Sequence, residues 1–305
     1  MLDTCNVDGS ISGLADARVP VMDRGFLFGD SVYEVARTRR GVPFAWPEHM
    51  ERLEASAAAL GLPVQPPPVE LARRVQTTLA AARADGDVGE AYVRVIVTRG
   101  TGSAPNIDVA SAPGPSRCVL IVRAAPPLPT RGARLAIVDR LRVDRRALDP
   151  AIKSGNYLNN VMGLMEARRA GADDCAFLNG AGEVTEASTS NLFVVQGGEV
   201  RTPPLRAGIL AGITRRLILE VCAREGIPAV ERVLTADDLR GADEVFLSST
   251  LRDLWPVVVL DGRELRQPGS ESVVARLAPA FETYSDQLLR ERYAPIWSSL
   301  TRTEE

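Results

Sequence analysis

Thirty-six of the 305 residues are lysine or arginine, and only Lys153, in AIKSGNYLNN, is a lysine; 36 minus 1 leaves 35 arginines. Arginine holds its proton above pH ~12, whereas a lysine amine can be desolvated, deprotonated and used as a nucleophile. Where every other cation is a guanidinium, a retained primary amine points to chemistry that needs one: attack on a carbonyl to form an imine, and proton transfer by the freed amine. Taken alone, Lys153 is equally readable as a residual surface or salt-bridging lysine, so its surroundings must decide. Histidine is as scarce, since His49 is the only one. A centre needing two or more imidazoles, a zinc hydrolase or a histidine-rich iron site, cannot be built within one chain. His49 lies in PEHMERLEASAAALGL, where Met50, Leu53, Ala57 and Leu60 recur at helical spacing after Pro47. It therefore reads as a helix-surface or packing residue rather than a catalytic base. No GxGxxG follows a strand and no GxxxxGK[ST] occurs, which argues against dinucleotide and P-loop sites.

The elements that must position these residues follow from composition and periodicity. With 45% hydrophobic and 25% charged residues the chain can bury a real core. Its 36 basic and 39 acidic residues leave a net −3, without the basic footprint of a nucleic-acid binder, so small solutes are the expected partners. Cys5, Cys118, Cys175 and Cys222 form no CxxC pair, which suggests neither a disulfide framework nor a thiolate zinc site and fits a reducing cytoplasm. MLDTCNVDGS lacks the charged-then-apolar pattern of a signal peptide, and no apolar run approaches the ~20 residues of a membrane helix, so no membrane partner is expected.

The first third alternates strands and helices: a strand at SVYEVART, the helix around His49, and a second helix through VELARRVQTTLAAARADG ending at Gly86. AYVRVIVTRG sets Tyr92, Arg94 and Ile96 on one face and Val93, Val95 and Val97 on the other. TGSAPNIDVASAPGPS reads as a long loop and RCVLIVRA as a buried strand. APPLPTRG, residues 125–132, reads as a linker between an N-terminal α/β domain over 1–124 and a C-terminal domain over 133–305. The second part opens with ARLAIVDRL, then the lysine segment, then a helix in LNNVMGLMEARRAG stopping at Gly171. DDCAFLN, NLFVVQ and GGEVRTP read as strands with hairpin turns, and GILAGITRRLILEVCAREGI as a glycine-rich entry to a helix starting near Gly212. EVFLSST is a strand ending in hydroxyl residues, and SVVARLAPAFETYSDQLLRERYAPIW is helical; no 20- to 50-residue repeat is visible.

KSGNYLNN, GEVTEASTSNLFVV, TPP..AGILAGITR and EVFLSST..D..PV, in this order, with DRGFLFGDSVYEV and HMERLEAS before them, resemble the fold-type IV pyridoxal-phosphate enzymes, the class IV aminotransferases, over most of the chain. The resemblance implies a two-domain α/β (α+β) fold, with a smaller N-terminal domain and a larger C-terminal mixed-sheet domain that binds pyridoxal 5'-phosphate. It implies a homodimer with active sites near the interface. The implied activity is transfer of an amino group between an amino acid and a 2-oxo acid, 2-oxoglutarate or pyruvate, with ping-pong kinetics. By the same resemblance Lys153 links covalently to the cofactor and is the general base, Glu186 pairs with the pyridine nitrogen, and Tyr157 hydrogen-bonds the phenolate oxygen. Arg52, Ile213, Thr214 and Thr250 are the phosphate ligands, with Arg146 a weaker candidate. For Ile213 and Thr214 there is a physical reason, because the Gly208 to Gly212 loop enters a helix whose free N–H groups favour an anion. The alternatives are a solvated loop acid for Glu186, a core tyrosine for Tyr157, a surface ion pair for Arg52 and ordinary turn hydroxyls for Thr250 and Ser249.

Substrate contacts divide the resemblance. Tyr92-Val93-Arg94 is similar to the YxR element of branched-chain aminotransferases, and Tyr33 lies where that subfamily places an aromatic pocket residue; Thr189 and Ser249 are further candidate contacts. The Ser249-Thr250-Leu251 turn, where branched-chain enzymes have Gly-Thr-Ala, and VYEV are more like D-amino-acid aminotransferases. TGSAPNIDVA lacks the arginine and histidine that D-specific enzymes use to trap a carboxylate. The reading is a branched-chain-like transaminase. A D-amino-acid or (R)-amine enzyme using Arg94 or Arg37 is the alternative, and an aminodeoxychorismate lyase-type enzyme a further one.

Overall fold

The structure, a computed structural model, describes residues 1–83, 89–265, 269 and 271–302. In chain order its elements begin with β1 (Thr4–Val7), β2 (Ser10–Gly13), α1 (Arg24–Phe28), β3 (Ser31–Arg39), β4 (Val42–Pro43), α2 (Trp46–Ala59), α3 (Pro68–Ala82), β5 (Ala91–Thr98) and β6 (Arg117–Ala124). They continue with β7 (Ala133–Leu141), α4 (Leu158–Arg169), β8 (Asp174–Leu178), β9 (Val184–Ala187), β10 (Asn191–Gln196), β11 (Glu199–Thr202), α5 (Ile213–Arg224) and β12 (Ala229–Glu231). The last are α6 (Ala236–Arg240), β13 (Glu244–Ser249), β14 (Asp253–Leu260), β15 (Arg263–Glu264), α7 (Val273–Leu288) and α8 (Ala294–Thr301).

The chain divides into two units. Met1–Pro127, Ile152–Asn156 and Gln287–Glu305 make the first, whose antiparallel sheet has the order β2-β1-β6-β5-β3-β4. The period-2 pattern of β5 is realised: Val93, Val95 and Val97 are buried, while Tyr92, Arg94 and Ile96 stay partly accessible. Against the valine face α2 packs Leu53 and Ala57 and α3 packs Leu71, Val75 and Leu79, each large apolar side chain contributing roughly 1.5–3 kcal/mol by its burial. Pro47 stands in the first turn of α2, where its missing N–H costs nothing.

Leu128–Ala151 and Tyr157–Asp286 make the second unit. Its mixed sheet runs β12-β11-β10-β13-β14-β7-β8-β9, with β15 on β14. β10 and β13 pair antiparallel with Asn191 opposite Ser248, and β13 and β14 with Ser249 opposite Asp253. The turns 188–190 and 250–252 therefore emerge side by side at one end of the sheet, which brings Thr189 close to the Ser249-Thr250 turn.

The expected domain division needs correction. The break between Pro127 and Leu128 falls inside 125–132, but Ile152–Asn156 and Gln287–Glu305, both expected in the C-terminal domain 133–305, belong to the first unit, so the two units are of nearly equal size. Backbone pairing carries the lysine segment there: Tyr33 N donates to Lys153 O at 2.9 Å, Gly155 N donates to Ser31 O at 2.8 Å, and Val32 and Ser154 form a β-bridge. Helix α8 is held by Trp297, edge-on to Trp46 and donating Nε1–H to Gln76 Oε1 at 3.0 Å. The expected helix end at Gly86 lies outside the described residues. The C-terminal helical stretch contains Pro279 inside α7 and a π-helical turn, Leu289–Tyr293, before α8. Among the described residues no helix is long and apolar enough to cross a membrane.

Candidate active site

Lys153 is anchored through its main chain. Besides the bond from Tyr33, its own N–H donates to Ser56 Oγ at 3.1 Å, so α2 and β3 fix the backbone on both sides. A Cβ on Gly155 would collide with Ser31 Oγ, which is why the segment carries glycine two residues after the lysine. The Lys153 amine lies 3.5 Å from the Tyr33 hydroxyl and 4.5 Å from the ring centroid, and the Arg94 guanidinium lies 3.9 Å from the same centroid. Three of the expected residues, Lys153, Tyr33 and Arg94, thus meet around one buried ring, and each cation contributes about 0.5–2 kcal/mol of attraction to it. Arg37, the other arginine considered for a carboxylate, donates Nη1–H to Pro126 O at 2.8 Å.

Arg52 is not a surface ion pair. Its Nε and Nη2 donate to the two oxygens of Glu34 at 2.7 and 2.8 Å, and the Glu34 side chain is only 1% exposed. His49, one helical turn before Arg52, lies 2.7 Å through Nδ1 from Glu34 Oε2 and is itself 1% exposed. Of the two expectations for this histidine, helix-surface or packing, the surface one is corrected: α2 turns it inward, where it packs against a carboxylate on β3. Burial pushes His49 below the ordinary histidine value, and the Arg52 and Lys153 charges add to this against the opposing pull of Glu34. For Glu34 burial works against ionisation, but the Arg52 charge and hydrogen bonds, with His49, overcome it and hold the carboxyl at about 2. A neutral imidazole donating from Nδ1 to this carboxylate accords with the downward shift of His49.

In the second unit Glu186 is buried rather than solvated, and its donors come from three segments. Arg142 Nη2 reaches Oε1 at 2.8 Å and Nε at 3.2 Å, Leu210 N reaches Oε2 at 3.0 Å, and Asn191 Nδ2 makes a longer 3.4 Å contact. All are donors, so the group is held as an acceptor-only carboxylate. Arg142 also spans to Asn159 and Asn160 at the start of α4. Tyr157, half-buried, caps that helix.

Gly212 caps α5 in an extended conformation and brings no side chain to the first turn, whose Ile213 and Thr214 are buried. A Cβ there would strike Asn191 Oδ1, so the glycine lets this helix start close to β10. Ser249 and Thr250 are half-buried at the turn after β13, and next to them Ser248 Oγ is buried with no partner among the described residues. Arg252 ties the two turns together, with Nη1 3.3 Å from Thr189 Oγ1 and 3.2 Å from Ser190 Oγ. Arg146 stays apart, 87% exposed and paired with Asp144.

Sequence reasoning missed Glu34 as an anchor, and it missed Arg142 and Arg252. VYEV offered the signal for Glu34, an acid inside an otherwise apolar strand. No signal singled out Arg142 among the neighbouring arginines. Among the described residues no cluster of His, Cys, Asp or Glu is arranged to hold a metal.

This geometry has relatives. The family model for amino-transferase class IV matches residues 31–260. A Methanocaldococcus jannaschii protein named as a branched-chain-amino-acid aminotransferase is 34% identical over 276 residues, 90% of this chain and 94% of its own. D-alanine aminotransferase of Listeria monocytogenes is 35% identical over 269 residues, 87% of this chain and 90% of its own. Among solved structures, the branched-chain aminotransferase of Thermoproteus uzoniensis with norvaline superposes with a TM-score of 0.84 at 30% identity, covering 97% of this chain and 98% of that one. The match runs from the strand of Tyr33 and Glu34 through Lys153 and Glu186 to the end of β14, and on it the chain belongs to the class IV aminotransferases.

Proposed function

We propose that this aminotransferase uses pyridoxal 5'-phosphate to move the amino group of a branched-chain-type L-amino acid to a 2-oxo acid, 2-oxoglutarate or pyruvate, as a cytoplasmic homodimer. Class IV aminotransferases are pyridoxal-phosphate enzymes, and the residues of this chain fit that group. A buried acceptor-only carboxylate, Glu186, suits a protonated ring nitrogen. The α5 N-terminus, with no capping side chain and a buried Thr214 hydroxyl, suits a phosphate, as do Thr250 and Arg52. The unpartnered Ser248 hydroxyl beside Thr250 marks polar capacity at the same turn. Tyr157 is assigned to the phenolate oxygen.

When bound, the cofactor supplies an electron sink for the Cα–H bond of the substrate. Lys153 Nζ is the base that takes the Cα proton, and its fixed main chain keeps the amine within reach of one place. Tyr33 Oη, 3.5 Å from Nζ, is within reach to share a proton with it once the amine is neutral. Glu186 faces the ring nitrogen as an acceptor, oriented by Arg142. Arg94 offers a guanidinium to a substrate carboxylate, while Thr189 and Ser249 offer hydroxyls.

The observation that carries the branched-chain reading is the Arg94 guanidinium of the YxR element lying over the Tyr33 ring that also meets Lys153. The Ser249-Thr250 turn and the D-alanine aminotransferase relatives favour a D-amino-acid enzyme as the second reading. Leu158, Val161, Met162 and Met165 form an exposed apolar stripe at helical spacing on α4, which supports assembly with a second copy. Four unpaired cysteines support a reducing compartment.

Mixing the cofactor-loaded enzyme separately with L-leucine, D-alanine, D-glutamate and (R)-1-phenylethylamine, and following its visible absorption, tests this. L-leucine is expected to bleach the band and release its 2-oxo acid. Bleaching by D-alanine but not L-leucine would transfer the assignment to the second reading, and bleaching that persists in Lys153→Ala would remove Lys153 from the mechanism.

A further inference from the structure

Glu34 is buried in the middle of β3, and both of its oxygens are consumed by α2: Arg52 takes one edge with Nε and Nη2, and His49 adds Nδ1 at 2.7 Å. Because Arg52 follows His49 by three residues, the two side chains leave one face of the helix and converge on the carboxylate. A two-point grip on Nε and Nη2 fixes the plane of the guanidinium, and the imidazole fixes the plane of the carboxylate that grips it. The Arg52 side chain keeps 14% exposure, whereas Glu34 and His49 keep 1% each. Glu34 and His49 therefore have no route to a solute themselves; they act on whatever Arg52 meets. With His49 neutral, the three side chains carry no net charge beside Lys153, so the arginine is oriented without adding a further cation there.

We propose that Glu34 and His49 are positioning residues that pre-orient the Arg52 guanidinium for the cofactor phosphate, giving the sole histidine of the chain a role in cofactor retention rather than in proton transfer. The proposal rests on the reading of Arg52 as a phosphate ligand. It separates binding of the phosphate from binding of the aldehyde and ring, which depend on other residues.

The test titrates the full chain, freed of cofactor, with pyridoxal 5'-phosphate and with pyridoxal, which has no phosphate, reading affinity from visible absorbance. Arg52→Gln is expected to weaken pyridoxal phosphate by tenfold or more and to leave pyridoxal unchanged. His49→Leu and Glu34→Gln are expected to follow with a loss of about tenfold for the phosphorylated form alone, the scale of one lost charge-assisted hydrogen bond. His49→Asn, which keeps a side-chain N–H, is expected to recover part of it. If Arg52→Gln separates the two aldehydes but His49→Leu and Glu34→Gln do not, the positioning role is overturned and the reading of Arg52 stands. If Arg52→Gln treats both alike, that reading falls and the proposal falls with it. Should Glu34→Gln fail to fold, Glu34→Asp keeps the charge while shortening the grip, and the same selective loss is expected; equal affinities for both aldehydes relative to the parent would overturn the proposal.

Discussion

Glu34 and Glu186 are both buried carboxylates held by an arginine, yet they are built in opposite ways. The donors to Glu34 come from one turn of one helix, His49 and Arg52 on α2. Those to Glu186 come from Arg142 after β7, Asn191 at the start of β10 and Leu210 ahead of α5. The first is a local device that survives as long as α2 is helical and packed on β3. The second exists only when β7, β9 and β10 share a sheet and the loop before α5 has closed over them. The carboxylate proposed to face the cofactor ring is thus made a readout of the whole second unit, while the one proposed to aim an arginine is kept within one unit's strand and helix.

The largest expected effect separates the two by chemistry. With saturating cofactor, Glu186→Ala should slow amino transfer by roughly 10²–10⁴-fold, as expected for loss of a group that stabilises the proton-transfer step, whereas Glu34→Gln should leave that rate near the parent's. Equal losses in steady-state turnover would dissolve the contrast. Next comes Arg142→Leu, which strands Glu186 as a buried uncompensated charge and should cost about 3–5 kcal/mol of unfolding free energy in urea; a change near zero would mean that the pair is already solvated.

Acid titration addresses Glu34. Its folded pKa, about 2, lies below the ordinary 4.5, so the stabilisation is fully present above 4.5 and drains away as pH falls towards 2. At 1.36 kcal/mol per unit this amounts to about 3 kcal/mol, and Glu34→Gln should flatten that part of the stability profile. A parallel profile in the variant would place the acid sensitivity elsewhere. At the small end, Arg146→Ala removes a solvent-exposed partner of Asp144 and should change neither the melting temperature nor cofactor affinity.

The same contrast explains what could be read from the residues alone. Alternation in AYVRVIVT and the helical spacing after Pro47 are local, so β5 and α2 were legible, as was the face carrying Arg94. Lys153 stood out by being the only lysine, and the ordered motifs around it pointed to the class. The turn of His49 towards the interior was not legible, because an i, i+3 polar pair on a helix reads as surface unless a strand offers it a carboxylate. Arg142 lies 44 residues before Glu186, and nothing in VDRRALDP or the arginines before it ranks one above another. The docking of the lysine segment beside β3 joins residues 120 apart in the chain. That pairing runs through backbone atoms, which every sequence possesses, so it leaves no residue signature beyond Gly155, and the expected domain boundary missed it.

The pinning of Lys153 at its main chain has a practical corollary. The backbone is fixed and the chain has one lysine, so every displacement of a side-chain amine in this protein is rotation about four carbon–carbon bonds at a single address. Reductive methylation with isotopically labelled formaldehyde would install one ε-dimethylamino resonance, distinct from that of any α-amine. That resonance would serve as a built-in spectroscopic reporter of the pivot, in a protein that needs no lysine removed to make the signal unique.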